Sequence, residues 1–197
     1  MTTPRYLPVA TLKDYVRSEL QVDDAFYEAA INAAETILDN ACQRRFAVYA
    51  GGGATARSFP PSGGCNLVIN DATTVTTVVD NGTTLTVNVD YRPEPLNNLS
   101  TTGEAWPFYR LHRLNYLSWY ESTPGGLVVV TGTWGWLAIP PQIVEACKII
   151  AKDVFQQRDI RHGLVMVTEA GGVGTRENRI VRDAVHDYAH PNTIGVA

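Results

Sequence analysis

Few residues of this chain combine a reactive type with a useful spacing. His186 and His190 stand four apart, which on a helix brings both imidazoles to one side, the arrangement of a paired-histidine metal site. A metal hydrolase would use them so, but no glutamate lies between them and Asp187 alone is near. Without a third ligand, histidines beside a helix C-terminus, favoured by the dipole, are the simpler reading. Gly51–Ala56 is glycine-rich but is not followed by Lys-Ser/Thr, and it follows a helical pattern where a phosphate cradle follows a strand. Gly171-Gly172-Val173-Gly174 lacks the preceding strand and the acidic residue of a dinucleotide site. No serine occupies a Gly-x-Ser-x-Gly elbow. Cys65 has no activating histidine close in sequence, and a nucleophile needs a positioned base. Trp106, Trp119, Trp134 and Trp136 could stack sugars, which keeps a glycan-binding β-module of a virion or surface protein as the alternative function. At glycine-rich corners such tryptophans serve more often as core or interface anchors. The expectation is a protein with no catalytic residue, cofactor or metal.

Composition agrees with a structural role. The chain has 197 residues, 45% hydrophobic but only 18% charged, with net charge −4. That is enough apolar material for a real core. Charge is spread evenly: 5 basic and 7 acidic residues over 1–50, 4 and 6 over 51–140, 7 and 7 over 141–197. No segment has the basic excess of a nucleic-acid reader or an anionic-lipid binder. Cys42 and Cys147 fall on apolar helical faces and read as reduced core thiols. With no apolar leader and no run of membrane-spanning length, neither secretion nor membrane insertion is expected.

The elements that would position these residues change period along the chain. Residues 1–10 read as extended or loose. Thr11, with Asp14, caps a helix Leu12–Leu20 that buries Leu12, Tyr15, Val16 and Leu20. Asp23 and Asp24 cap a second helix, Ala25–Arg45, rich in alanine for close packing, with Ile37, Leu38 and Phe46 supplying bulk. Gly51–Gly64 reads as a linker with no fixed core role. Alternation then predicts strands at 66–69, 73–79, 83–91 and 126–131, and a further strand within Tyr109–Tyr120. Asp80-Asn81-Gly82 is a hairpin turn. Val87, Val89 and Tyr91 would share one strand face, Asn88 and Asp90 the other. Leu127–Val130 suits a strand covered on both sides. Gly132, Trp134 and Gly135 read as a tight corner, with Trp134 and Trp136 as anchors of the core or of a subunit interface. Pro140 and Pro141 end the extended segment, and Pro141 can open a helix Pro141–Arg158. Ile143, Cys147, Ile150 and Val154 form its apolar stripe. Leu164–Val167 is a short apolar piece. Gly171, Gly172 and Gly174 form a hinge before a tail helix, Arg176–Ala189. The organisation is thus α+β: bundle helices in 1–50, a β-rich insert in 51–140, a returning helix in 141–163 and a C-terminal helical arm in 164–197. The arm either packs on its own domain or docks on another chain.

Three segments carry a resemblance. They are TLKDYVRSELQVDDAFYEAAINAAETILDNACQRRF, the Asp90-Tyr91-Arg92-x-x-Pro95 strand end, and VVVTGTWGWLAIPPQIVEACKIIAKDVFQQRD. Over residues 10–163 the chain resembles the head–tail connector (head-to-tail adaptor) family of the tailed-bacteriophage neck. The resemblance implies a helical bundle with a β-insert, assembled as a homo-oligomeric ring of about twelve copies. Such a ring sits under the portal protein, extends the DNA channel and receives the stopper or tail-completion protein. It implies a virion location after assembly in the host cytoplasm, and no membrane partner. DNA would pass through the lumen without sequence-specific binding, and a neutral-to-acidic wall suits sliding. The family's C-terminal segment reaches onto the portal. Here Arg176, Arg179 and Arg182 recur every third residue along one helix side, so with Ile180, Val185 and Tyr188 they are the candidate portal-contact residues.

Overall fold

The computed structural model describes residues 6–16, 24–46, 51–61, 64–100, 103–115, 117–119, 127–157 and 178–190. The chain divides into two compact units. A helical unit comprises Met1–Arg45 and Ile139–Ala197; a β unit comprises Phe46–Ala138. Among the described residues, four helices and a six-stranded antiparallel sheet make the class α+β.

In the helical unit, α1 spans Val9–Val16. It begins earlier than the Thr11 cap suggests, because the Pro8 carbonyl accepts from the Thr11 and Leu12 amides at 3.1 and 3.3 Å. Tyr6 and Leu7 before it are buried. Tyr6 donates its amide to Glu35 (2.7 Å) and its hydroxyl to Asp39, so these residues are pinned to the next helix, where the sequence suggested loose chain. Of the apolar residues of α1, Leu12 is buried and Tyr15 is exposed. The Tyr15 ring lies under the Lys148 and Lys152 ammonium groups, at 5.6 and 5.5 Å.

Helix α2 is Asp24–Cys42, with Tyr27, Ala30, Ile31, Ala34, Leu38 and Cys42 buried. Ile37 is on the solvent side, contrary to expectation. Gln43 ends the helix in the left-handed region, φ 52°. Helix α3 is Pro141–Gln157, and the Pro140 carbonyl accepts from Ile143 and Val144, so Pro141 holds a first-turn place where an N–H is not needed. Ile143, Ala146, Cys147, Ile149, Ala151 and Phe155 are buried; Ile150 and Val154 are half-buried, so the inner seam runs one residue off the expected stripe. Tyr27 stacks on Phe155, 4.4 Å between ring centroids. Helix α4, Arg179–Tyr188, packs on α3 and α2. The terminal helix is therefore built into the bundle of its own chain.

In the β unit the strands are β1 Thr55–Phe59, β2 Asn66–Asp80, β3 Thr83–Leu85, β4 Tyr91–Glu94, β5 Phe108–Arg113 and β6 Val128–Trp134. Their order is β1-β6-β2-β5-β4, with β3 also on β2. β1 lies inside the stretch read as a linker; it pairs with β6 and buries Phe59. β2 is one long strand whose register shifts between Val68 and Ala72 and twice more before Thr77. The bulges interrupt its alternation, which is why it reads as two strands in sequence. Asn81 and Gly82 both have positive φ, 47° and 77°, as a two-residue hairpin requires. The expected strand 83–91 stops at Leu85. Asp90 Oδ2 accepts from the Thr86 amide (2.8 Å), and Asn88 (φ 62°) turns the chain into β4. β6 alternates buried and half-buried residues and leaves Leu127 exposed, so it is covered chiefly on one side. Gly132 is no corner; it sits in mid-strand. A Cβ there would lie 2.2 Å from the Thr74 carbonyl oxygen. Phe59, Leu67, Ile69, Ala72, Val78, Leu85, Tyr91, Leu111, Trp119, Val128, Val130 and Trp134 form the core.

Candidate functional site

The predicted contact helix presents two unlike sides. Asn178 caps α4 by accepting from the Ile180 amide through its side chain, at 3.0 Å. Ala184 and Tyr188 face inward, and Tyr188 is only 4% exposed. Tyr188 is thus a packing residue of the bundle, and of the five candidate contacts among the described residues it is the one turned away from solvent. Arg179, Ile180 and Arg182 are exposed and Val185 is half-buried; Arg176 lies outside the described residues, as do the Leu164–Val167 piece and the Gly171, Gly172 and Gly174 hinge. The two arginines converge on one carboxylate. Arg179 Nε is 3.3 Å from Asp183 Oδ2, and Arg182 Nη2 is 3.0 Å from Asp183 Oδ1. The hydrogen bond from Arg182, and then that from Arg179, holds the Asp183 carboxyl below its ordinary range. The exposed side of α4 is therefore mixed in charge around an apolar Ile180.

The two histidines occupy different surroundings. His186 is exposed beside Asp187, 3.2 Å away. His190 lies beyond the helix end, half-buried, and donates its amide to the Cys42 carbonyl at 2.8 Å. Burial, followed by the neighbouring Arg44 charge, pushes its imidazole down to about 4. Among the described residues no three His, Cys, Asp or Glu side chains are grouped to hold a metal ion. Cys42 and Cys147 are free and buried. Burial raises their thiols to about 11 and about 12, and Arg44 only partly opposes this at Cys42. They behave as small apolar core residues, because the thiolate is the reactive form.

The tryptophans of the expected joint are anchors within one chain. Trp134 Nε1 donates to the Thr55 carbonyl (2.9 Å), its ring meets Phe59, and the Arg57 guanidinium lies 4.6 Å over its face. Trp136 Nε1 donates to Asp71 Oδ2 (2.9 Å), and its ring lies 5.2 Å from Phe46 and 5.1 Å from Trp106. Trp119 Nε1 donates to the Cys65 carbonyl at 3.0 Å. These three rings are 9%, 2% and 1% exposed, so they cannot form the open platform a glycan-binding module needs. Of the four, Trp106 alone is half-buried.

Trp106 borders a feature that sequence reasoning missed. Thr73, Asn98, Ala105, Trp106, Pro107, Gly135 and Leu137 line a small pocket. The loop after β4 is fixed there by two hydrogen bonds, Asn98 Nδ2 to the Thr73 carbonyl and the Trp106 amide to the Asn98 carbonyl, and Thr73 Oγ1 in turn donates to the Gly135 carbonyl. Asn98 itself is in the left-handed region, φ 58°. The only signal in sequence was the run Asn97-Asn98, since asparagine tolerates that conformation.

Comparison with solved structures places this architecture. A chain in the neck of an empty gene transfer agent particle, computed with C6 symmetry, matches with TM-score 0.52 at 17% identity, covering 96% of this chain and 95% of that one. This chain shares its fold with chains of gene transfer agent particles. A chain in the virion of the native particle matches with TM-score 0.52 at 20% identity, and one in the native neck computed with C12 symmetry with TM-score 0.52 at 16%, both over 96% and 95% of the two chains. No protein-family model matches the sequence, and no curated protein is similar to it. Among the described residues no helix is long and apolar enough to cross a membrane.

Proposed function

We propose that the protein is a non-enzymatic structural component of a virion neck, a head-to-tail adaptor. Copies of the chain assemble as a ring, about twelve by the family resemblance, between the portal protein and a stopper or tail-completion protein. The ring extends the DNA channel. The observation that carries this reading is the likeness to neck chains over nearly the full length of both partners, helical and β units together. The low charge and the net −4 support it, since a wall of this kind lets DNA slide.

In this reading α4 meets the portal through its exposed side, Arg179, Ile180 and Arg182, with Arg176 preceding it and Val185 at the margin. Removing the tail from Gly171 onward would uncover the bundle face that Ala184 and Tyr188 cover, so point changes are the cleaner probe. The test is negative-stain microscopy and native mass measurement of the purified chain with and without the portal protein of its virus. Rings seated on the portal are expected, and Arg179→Glu/Ile180→Asp/Arg182→Glu should abolish seating while the chain still folds. A chain that never associates with itself or with portal sinks the proposal.

A further inference from the structure

Apart from Leu127 beside β6, the large exposed apolar residues described in the β unit fall into two groups. Leu96, Leu99 and Leu137 lie at one end of the β4–β5 ladder, and Val87, Val89 and Leu117 at the other. All six are between 45 and 63% exposed. The ladder fixes their separation: β4 runs from the Val87–Asp90 turn to the Leu96–Asn98 loop, and β5 returns antiparallel from Phe108 to Arg113. The second group is one surface. Val87 bridges to Tyr91, Asn115 Nδ2 donates to the Val89 carbonyl, and the Leu114 amide donates to the Asp90 carbonyl. Between the two ends the Glu94 carboxylate is held by Arg92 and by Arg110, whose Nε is 2.8 Å away.

The two ends are chemically complementary. At the leucine end, the Asn98 Oδ1 acceptor is buried and has no hydrogen-bond partner among the described residues, and an unmet buried acceptor is costly. The pocket it lines has room for a group about the size of a water molecule. At the valine end, Asn88 is exposed at the tip of the turn between Val87 and Val89. Its amide NH2 is a water-sized donor flanked by two apolar side chains. We propose that β units of neighbouring copies pack head to tail, with the Val87-Asn88-Val89 turn of one copy seated over the Asn98 pocket of the next and the Asn88 amide NH2 reaching into it.

In this contact the Asn88 amide donates to Asn98 Oδ1, and the valines and Leu117 cover Leu96, Leu99 and Leu137. Two different patches on one chain make a heterologous contact, the type that closes rings. The inference rests on the reading of the chain as a ring-former. The test is sedimentation velocity of the full chain across a concentration series. Val89→Asp and Leu137→Asp should each weaken self-association by about tenfold or more, since each places a charge in an apolar contact. The double variant Val89→Asp/Leu137→Lys should regain much of the loss, as opposite charges then meet between copies. Asn88→Asp, which a left-handed turn accepts, should weaken association by setting an acceptor against Asn98 Oδ1. Singles that associate as the wild type does, with unchanged melting, or a double variant no better than the singles, would overturn the contact. Wild-type rings with unaffected variants would remove this contact alone. A wild-type chain that stays monomeric, alone and with portal, would remove the ring reading as well.

Discussion

The two units solve the packing problem with opposite materials. Helices α2 and α3 of the helical unit stack Tyr27 on Phe155 and interleave Ile31, Leu38, Ile143 and Ile149 with small residues, Ala30, Ala34, Ala146, Ala151, Cys42 and Cys147. The β unit closes on large ones, and all four tryptophans belong to it. In the first, backbones approach closely and tolerance for added volume is low. In the second, the indole N–H groups of Trp119 and Trp134 go to backbone carbonyls and that of Trp136 to the Asp71 carboxylate, so the rings double as ties between distant segments. Small-residue seams hold helices that are remote in sequence; aromatic ties hold loops to a sheet.

Four perturbations bear on this contrast. The largest effect is expected from Gly132→Ala, which forces a methyl against the Thr74 backbone and should cost about 3 kcal/mol or more. Because every tryptophan is in the β unit, fluorescence-detected denaturation reads that loss directly. A fluorescence midpoint equal to the wild type's would refute the close approach. Next, Ala34→Leu overfills the α2 seam and should cost about 1–3 kcal/mol. Circular dichroism of the helices should fall at lower denaturant, and an unchanged helical transition would show a looser seam than described.

The third is acid. The His190 imidazole is depressed from 6.5 to about 4. Between those values the unfolded chain takes up a proton that the folded chain refuses, so stability falls as pH drops from 6.5 toward 4 and then levels off. The partly exposed site limits the loss to about 1–2 kcal/mol. His190→Gln should flatten that slope, and a slope unchanged in the variant would assign it elsewhere. At the alkaline end, Cys42 and Cys147 are raised above their ordinary value of 9.0, so stability declines again above that pH. The smallest effect is Asn178→Ala, which removes the α4 cap and should cost about 1 kcal/mol. Faster hydrogen exchange confined to the first turn of α4 would report it.

Much of this architecture was legible wherever one residue dictates backbone geometry. Pro141 announces a helix start, and Asn81-Gly82 a hairpin. The fold class followed from the change of period along the chain. What escaped was whatever depends on a distant partner. β1 has four exposed residues out of five, and its identity as a strand comes from pairing with β6, from 128 − 59 = 69 to 132 − 55 = 77 residues later. Val87–Tyr91 has perfect strand alternation, yet the Asp90 carboxylate captures the Thr86 amide and makes a turn. Tyr188 satisfies helical amphipathicity equally well as core or as contact, and only the position of α3 and α2 decides. The Asn98 pocket draws on the β2 bulge, the loop after β4 and the end of β6, and nothing local marks it.

The division of the chain also sets an order of events during synthesis. Helix α2 is complete at Cys42, but its buried face is closed by α3, which begins 141 − 42 = 99 residues later, and by α4, which begins 179 − 42 = 137 residues later. At ribosomal rates of about 5–20 residues per second, that face waits on the order of 5–20 seconds for its cover. The intervening β unit is continuous and has every one of its strands before the waiting helix gains its partners. A nascent chain therefore passes through a stage with a finished sheet and an open bundle, which ends when α3 and then α4 have emerged.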